Sequence, residues 1–147
     1  MSSFDLKYVD IKDSFYKEAV VIRKELFFKN MKNSSDLIQD NFEENGIHLV
    51  CLKENEVVGT GRLNIESKTS VISQMAIKSA YQNQGVGSEL VKELIKYSKG
   101  KELFIIKLSA RETALAFYKK FGFVAVSDKY PSQKTGIIHQ QWELKID

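Results

Sequence analysis

The sequence of 147 residues has a single cysteine and no long apolar run, and each shortage excludes a class of protein. The single cysteine, Cys51, excludes an intramolecular disulfide, and a lone thiol in an apolar stretch is typical of a reducing compartment. No apolar run approaches the roughly 18 residues that a membrane-spanning helix needs. The first residues carry an acid at Asp5 and no apolar core, unlike a secretory signal. These shortages predict a cytoplasmic protein without a membrane partner.

The remaining composition is that of a globular domain. Hydrophobic residues make up 43% of the chain and charged residues 28%, which excludes disorder and collagen-like repeats. A chain of this length is expected to form one domain, here spanning residues 1–147. Lys and Arg number 22 against 19 acids, a net charge of +3. This excess is too small for a nucleic-acid-binding surface, although it suits a small anionic ligand.

Hydrophobic periodicity predicts the order of the elements. Apolar residues three and four apart predict a first helix near residues 15–26 and a long helix that follows Gly85 and ends at Gly100. Asp36 and Gln39 resemble a helix-capping pair. Shorter helices are predicted over 36–44 and 112–121, strands over 4–9, 47–52, 57–65, 69–78, 103–106, 123–126 and 137–146, and polar loops over 30–35 and 127–136.

This order predicts an α+β fold. Three successive strands with short connections indicate an antiparallel meander, which excludes a doubly wound sheet because that fold alternates strand and helix. The long helix between two strands implies a crossover and therefore one parallel pair. We expect a single domain with a mixed, mostly antiparallel, seven-stranded sheet and flanking helices.

The segment from Gln82 to Ser88 is the most informative motif. Its glycines, Gly85 and Gly87, stand between a predicted strand and the long helix, where bared amide groups and the helix dipole favour a phosphate. The alternative is that the glycines only permit a tight turn. A dinucleotide-binding fingerprint would need a third glycine at the position of Leu90. A Walker loop would need a lysine directly after its last glycine, followed by Ser or Thr. The sequence matches neither motif.

Residues 71–94 resemble the core motif of the GNAT superfamily of acyl-CoA-dependent N-acyltransferases. That family carries Gln/Arg-x-x-Gly-x-Gly/Ala at the turn, and Gln82, Gly85 and Gly87 match it. Residues 114–123 are similar to the second hallmark, an alanine and the pair Phe117-Tyr118 that lead into a Gly-Phe strand. The resemblance implies the acyl-CoA N-acyltransferase fold and acetyl-CoA as co-substrate.

The resemblance also implies roles for particular residues. The pyrophosphate of acetyl-CoA would lie on the glycine turn, and the pantetheine arm would pair with the preceding strand. The binding residues that the resemblance implies are Met75, Ala76, Ile77, Gln82, Gln84, Gly85, Val86, Gly87 and Ser88. Without the family, residues 75–77 would be core. Tyr118 matches the family's proton donor, and its alternative is an aromatic side chain on an inner helix face.

The sequence departs from the family at two places. Arg111 stands where the family often has an asparagine that contacts the CoA arm. A catalytic base is often found on the strand before the turn, but the matching positions hold Val71 and Ser73. Deprotonation is then left to water or to one of three side chains, Glu66, Glu25 or His139.

The remaining histidine and cysteine positions indicate no metal site. His48 alternates with apolar neighbours and is predicted to lie on a strand surface, and its spacing from His139 and Cys51 is not that of a metal centre.

These observations favour an N-acetyltransferase that moves the acetyl group of acetyl-CoA to a primary amine by direct attack. The acceptor is expected to be a small molecule or a peptide, selected by residues 29–35 and 127–136. Dimers are frequent among similar proteins, so a homodimer is one expectation, and the oligomeric state stays open. Two alternatives stay open: a non-catalytic module that binds and senses acyl-CoA, and a nucleotide-phosphate binder of unrelated fold.

Overall fold

The computed structural model describes residues 4–28, 37–133 and 135–146. Its elements in chain order are β1 (Phe4–Val9), α1 (Ser14–Phe27), β2 (Ile47–Lys53), β3 (Glu56–Glu66), β4 (Thr69–Ile77), α2 (Val86–Gly100), β5 (Ile105–Arg111), α3 (Leu115–Lys119), β6 (Val124–Ala125), β7 (Tyr130–Pro131) and β8 (Ile138–Lys145). Two single-turn 3₁₀ helices cover Ser79–Tyr81 and Glu112–Ala114. None of the helices in these ranges has the length and apolarity to cross a membrane.

The contacts divide the chain into two compact units, residues 1–64 with 74–94, and residues 65–73 with 95–147. The first unit holds the order β1-β2-β3-β4. β1 and β2 pair antiparallel, as do β2 and β3. A two-residue turn joins β2 to β3, with φ of 51° at Glu54 and 65° at Asn55. Positive φ at both central residues is the turn geometry that matches the twist of a tight hairpin.

Helix α1 packs on the first unit's strands through one apolar face. It begins at Asp13, whose side chain accepts a hydrogen bond from the Phe15 amide at 2.8 Å, and so satisfies one of the unpaired amide groups of the first turn. Its buried apolar residues Tyr16, Ala19 and Ile22 share one core cluster with Val9, Val50, Leu52, Val57 and Ala76. The predicted apolar face is confirmed at Ala19 and Ile22, whereas Phe15 and Leu26 are only partly buried.

Two glycines of β3 set how closely helix α2 approaches the first unit's strands. A Cβ on Gly59 would lie 2.7 Å from Val86 Cγ1 and 3.2 Å from Leu90 Cδ1. A Cβ on Gly61 would lie 2.5 Å from Met75 Sδ. The distances of 2.7 and 2.5 Å are shorter than side chains tolerate, so glycine leaves room for the first turn of α2 at Gly59 and for Met75 at Gly61.

The second unit holds the first part of β4 with β5, β8 and β6 in that order, and β7 pairs with β8. Thr69–Ile72 run parallel to β5, which confirms the crossover through α2. β5 and β8 pair antiparallel over seven residue pairs, from Ile105↔Lys145 to Arg111↔His139. The buried apolar side chains of this unit are Ile72, Leu103, Ile106, Leu108, Ala110, Tyr118, Phe123 and Trp142.

The predicted fold class is confirmed: α+β, with a mixed, mostly antiparallel sheet. The sheet has eight strands rather than seven because β7 lies inside the predicted loop 127–136. The predicted helix over 112–121 is shorter, because residues 112–114 form a 3₁₀ turn before α3. The prediction of one domain over 1–147 stays a prediction.

The predicted helix over 36–44 is wrong in its second half. Its proposed cap, Asp36, and the predicted loop 30–35 lie outside the described residues. Leu37 and Ile38 are helical, but residues 41–45 are turns. The Asp40 side chain accepts the Phe42 amide at 3.0 Å, and this local bond competes with helical hydrogen bonding.

Replacement of Gly59 by alanine should destabilise the protein by about 1–3 kcal/mol, since the new Cβ meets the short, stiff side chain of Val86. Urea unfolding monitored by circular dichroism measures this change. Gly100→Ala is the matched control, because a Cβ there meets nothing within 4 Å. Equal stability of the two variants would contradict the close approach at Gly59.

Candidate functional site

The glycine turn lies between the end of β4 and the start of α2. Asn83 and Gly85 have positive φ values of 63° and 88°, and helix α2 begins directly afterwards at Val86. A Cβ on Gly85 would meet nothing within 4 Å, so the space beside this residue is open. Because the amide groups of a first helical turn have no acceptor within the helix, those of Val86, Gly87 and Ser88 add to a positive helix terminus. The turn has the chemistry of an anion cradle.

Two glutamine side chains brace this turn. Gln82 Nε2 donates to the Ile77 carbonyl oxygen at 3.1 Å, and Gln84 Nε2 donates to the Ala80 carbonyl oxygen at 3.0 Å. Each bond ties the turn to backbone four or five residues earlier. These side chains therefore hold the main chain of the turn in its conformation.

The strand residues predicted to bind the pantetheine arm alternate between the two faces of β4. Ala76 is buried against α1. Met75 and Ile77 point to the other face, toward Gly61 and Gly59 of β3. The Ala76 side chain packs in the core, whereas Met75 and Ile77 are half-buried, so the alternative interpretation of these residues as core holds fully only at Ala76. The structure therefore brings together, within the first unit, all nine residues predicted to bind acetyl-CoA.

Tyr118 belongs to the second unit, on the short helix α3. Its ring packs edge-on against Phe117 and Phe123, with centroid distances of 5.0 Å and 6.0 Å. The residue is 8% exposed, and burial raises the pKa of its phenol. The hydroxyl therefore carries its proton at neutral pH, the form that a general acid needs.

The three side chains considered as bases lie at exposed or half-buried positions. Glu25 and Glu66 are exposed. His139 is half-buried, and its Nδ1 lies 2.8 Å from the Ile137 carbonyl oxygen. Arg111 is half-buried at the end of β5, where burial lowers its pKa. The predicted acceptor segment 29–35 lies outside the described residues.

A buried ionic cluster in the first unit was not predicted. Its centre is Glu43, which is 1% exposed. Arg23 donates to both carboxylate oxygens, at 2.7 and 2.8 Å, and Arg62 donates to Oε1 at 2.8 Å. Tyr16 donates its hydroxyl to Oε2 at 2.5 Å. Arg62 also pairs with Asp40, at 2.9 Å.

The cluster balances two guanidinium groups against two carboxylates. Burial alone would raise the pKa of Glu43, but hydrogen bonds from Arg23, Tyr16 and Arg62 outweigh it and lower the pKa to about 2. Burial and the hydrogen bond to Glu43 raise the pKa of Tyr16 to about 12. Both groups therefore keep their hydrogen-bonding form across the physiological pH range.

The prediction for His48 is wrong. The side chain is 3% exposed, and its Nε2 lies 2.9 Å from the Glu43 carbonyl oxygen. Burial lowers its pKa, so the ring is neutral and Nε2 carries the proton that it donates. His48 faces Arg62 across the β2–β3 ladder, and this face of the sheet is covered by α1.

One sequence signal could have identified part of this cluster. The buried face of α1 contains residues spaced three and four apart, namely Tyr16, Ala19 and Arg23. This spacing places the charged Arg23 on the same face as the apolar residues. A charged side chain on such a face needs a partner of opposite charge. The sequence near Arg23 does not indicate that this partner is Glu43.

The chain is similar to a family of acetyltransferases and to several proteins of Bacillus subtilis. Residues 10–123 match the family model described as "Acetyltransferase (GNAT) family". YyaT of Bacillus subtilis, an uncharacterized protein, is 31% identical over 125 residues, which cover 83% of each chain. YjcF of the same organism, described as an uncharacterized N-acetyltransferase, is 29% identical over 121 residues, or 81% of each chain.

Among solved structures, an aminoglycoside 6′-N-acetyltransferase complexed with coenzyme A superimposes with a TM-score of 0.80. The match covers 97% of both chains at 12% identity. At this identity the likeness shows the fold alone.

Protonation of Glu43 should destabilise the protein. Its pKa is about 2 when folded and near 4.5 when exposed, so the unfolded chain binds more protons between these values and stability falls as the pH drops through that window. The loss is on the order of 3 kcal/mol. Urea unfolding between pH 7 and pH 2 measures it.

The same series on two variants tests the assignment. Glu43→Gln should lose about 3 kcal/mol already at pH 7, because two buried guanidinium groups lose their counter-charge. Glu44→Gln, at the exposed neighbouring position, should retain the wild-type stability. A Glu43→Gln protein that retains the full acid-dependent loss would contradict the assignment.

Proposed function

The chain belongs to the acetyltransferase (GNAT) family, and on that premise we propose that it transfers the acetyl group of acetyl-CoA to a primary amine. The observation that carries this proposal is the turn at Gly85. Its φ of 88°, the open space beside it and the start of α2 at the next residue combine to favour a bound diphosphate. The acceptor amine is a small molecule or a peptide.

The glycine turn would bind the pyrophosphate of the substrate. Amides from Gln84 to Ser88 donate to its oxygens, and the dipole of the 15-residue helix α2 favours the negative charge. The pantetheine arm pairs with the main chain of residues 75–77 as an added strand would. This pairing would use only the main-chain groups of these residues, so it is compatible with the buried side chain of Ala76 and the half-buried side chains of Met75 and Ile77.

The reaction is a direct attack of the neutral amine on the thioester carbonyl carbon. The new C–N bond forms, the C–S bond breaks, and the amine releases one proton to water. Tyr118 gives its phenolic proton to the departing thiolate and regains a proton from solvent afterwards. The phenol is protonated at neutral pH, as a donor must be, but burial raises its pKa and makes it a weaker acid, so the proton transfer has to accompany C–S bond breaking.

A non-catalytic acyl-CoA sensor is the second candidate. It is favoured by the side chains of Val71 and Ser73, which cannot act as a base on β4, and by the exposure of Glu25 and Glu66. Release of free thiol from acetyl-CoA, measured against a panel of polyamines, amino sugars, amino acids and peptides, distinguishes the two functions. An enzyme releases thiol with at least one amine, and a sensor binds acetyl-CoA without releasing it.

Tyr118→Phe should lower kcat by about 10²-fold or more with the amine that reacts, because it removes only the donated proton. The ring contacts with Phe117 and Phe123 remain, so the affinity for CoA and the melting temperature should change little. Tyr97→Phe on α2 is the matched control and should retain wild-type turnover. An unchanged kcat in Tyr118→Phe would remove the proton donor from the proposal.

CoA should raise the melting temperature, whereas NAD and ATP at the same concentration should not. A ligand at 100 times its Kd stabilises by about 2.7 kcal/mol.

Gly85→Val should weaken CoA binding about tenfold, since a branched side chain is strained at this φ and would fill the open space. Gly136→Val has a similar positive φ of 75° and an equally open surrounding, so it should leave the Kd for CoA unchanged. Equal affinity of the two variants would refute the phosphate role of the turn.

A further inference from the structure

Strand β4 contains an interruption at Gln74. The described pairing with β5 covers Thr69–Ile72, but β4 continues to Ile77. Between these two stretches Gln74 has a φ of 56°, a left-handed conformation that is foreign to a regular strand. Such a residue bends the strand and ends its regular pairing. The edge of residues 75–77 therefore stays outside the described ladder.

This conformation is unfavourable for glutamine, because a left-handed residue with a Cβ crowds its own backbone. No local feature of the sequence around Gln74 favours it, since its neighbours are Ser73 and Met75 and no glycine or asparagine is near. Something outside the strand must therefore hold it.

The side chain of Gln74 is held by Arg23. Arg23 Nε donates to Gln74 Oε1 at 3.2 Å. Arg23 is 2% exposed, and its other two nitrogens are bound to Glu43 at 2.7 and 2.8 Å. Because three donors of one planar group are fixed at once, the guanidinium cannot turn away from Gln74. The buried cluster thus reaches β4 through a single hydrogen bond.

We propose that Arg23 is a positioning residue for acyl-CoA binding: through Gln74 it keeps the bend in β4 and so keeps the edge of Met75–Ile77 available to the pantetheine arm. The inference rests on the proposed function, and it assigns to Arg23 and Gln74 a role that does not require either side chain to touch the substrate. Loss of the hydrogen bond lets β4 leave the bent conformation, and the apparent affinity for CoA falls with the population that remains bent.

Replacements of Gln74 separate the hydrogen bond from the backbone conformation. Gln74→Met keeps the length of the side chain, loses the acceptor and should raise the Kd for CoA about tenfold by calorimetry. Gln74→Gly also loses the acceptor but takes a positive φ without strain, so it should bind CoA within about twofold of the wild type. Gln141→Met, at an exposed position of β8, is the matched control and should leave the Kd unchanged.

Arg23→Lys tests the other end of the bond. It keeps the positive charge beside Glu43 and loses the planar Nε donor, so it should raise both the Kd for CoA and the KM for acetyl-CoA, with a smaller change in kcat. In a Gln74→Gly background the same replacement should leave the Kd for CoA unchanged, although it lowers the melting temperature in both backgrounds. A purely structural role predicts an equal loss of CoA affinity in both backgrounds.

The outcomes separate this inference from the proposed function. Failure of the wild type to bind CoA overturns both. If the wild type binds and Gln74→Met binds equally well, or if Gln74→Gly binds as weakly as Gln74→Met, the inference alone is overturned. Should Arg23→Lys fail to fold, the Gln74 series still decides the question.

Discussion

The buried carboxylate of Glu43, held between Arg23 and Arg62, is the contact on which the first unit depends. It joins α1 and β3 to the segment before β2 at a place where none of the three charges can be hydrated. A buried ion pair contributes little net stability compared with apolar packing, but it is strongly destabilising when incomplete. The cluster therefore specifies one arrangement of these segments, and Arg23 extends that arrangement to Gln74 of β4.

Small residues determine the other face of the first unit. Gly59 of β3 lets Val86 and Leu90 approach the sheet more closely than any side chain would allow, and Gly61 leaves room for Met75. The first turn of α2 is thus fixed against the strands, and its amides follow directly after Gly85. A phosphate-binding turn requires this rigidity, because its affinity comes from amide groups that point in one direction before the ligand arrives.

Membership of the GNAT family and the local geometry support the same function through different observations. The family indicates the reaction class, and the turn at Gly85 gives a physical reason for the proposed binding of a diphosphate. In the proposed mechanism Tyr118, which is buried among aromatic rings, donates the proton to the thiolate. Since no side chain on β4 can act as a base, the amine is expected to arrive neutral or to lose its proton to water.

The sequence by itself determined the order of strands and helices, the parallel crossover through α2 and the glycine turn, because each depends on residues that are close together in the chain. Periodicity could not identify β7, which has two residues, nor the Asp40 turn that ends the second predicted helix. The tertiary structure alone decided the partners of Arg23, the burial of His48 and the left-handed Gln74. These features depend on contacts between residues 20 to 51 positions apart in the chain. The partner of a buried charge, and the group that holds an unusual backbone angle, are brought next to it only by folding.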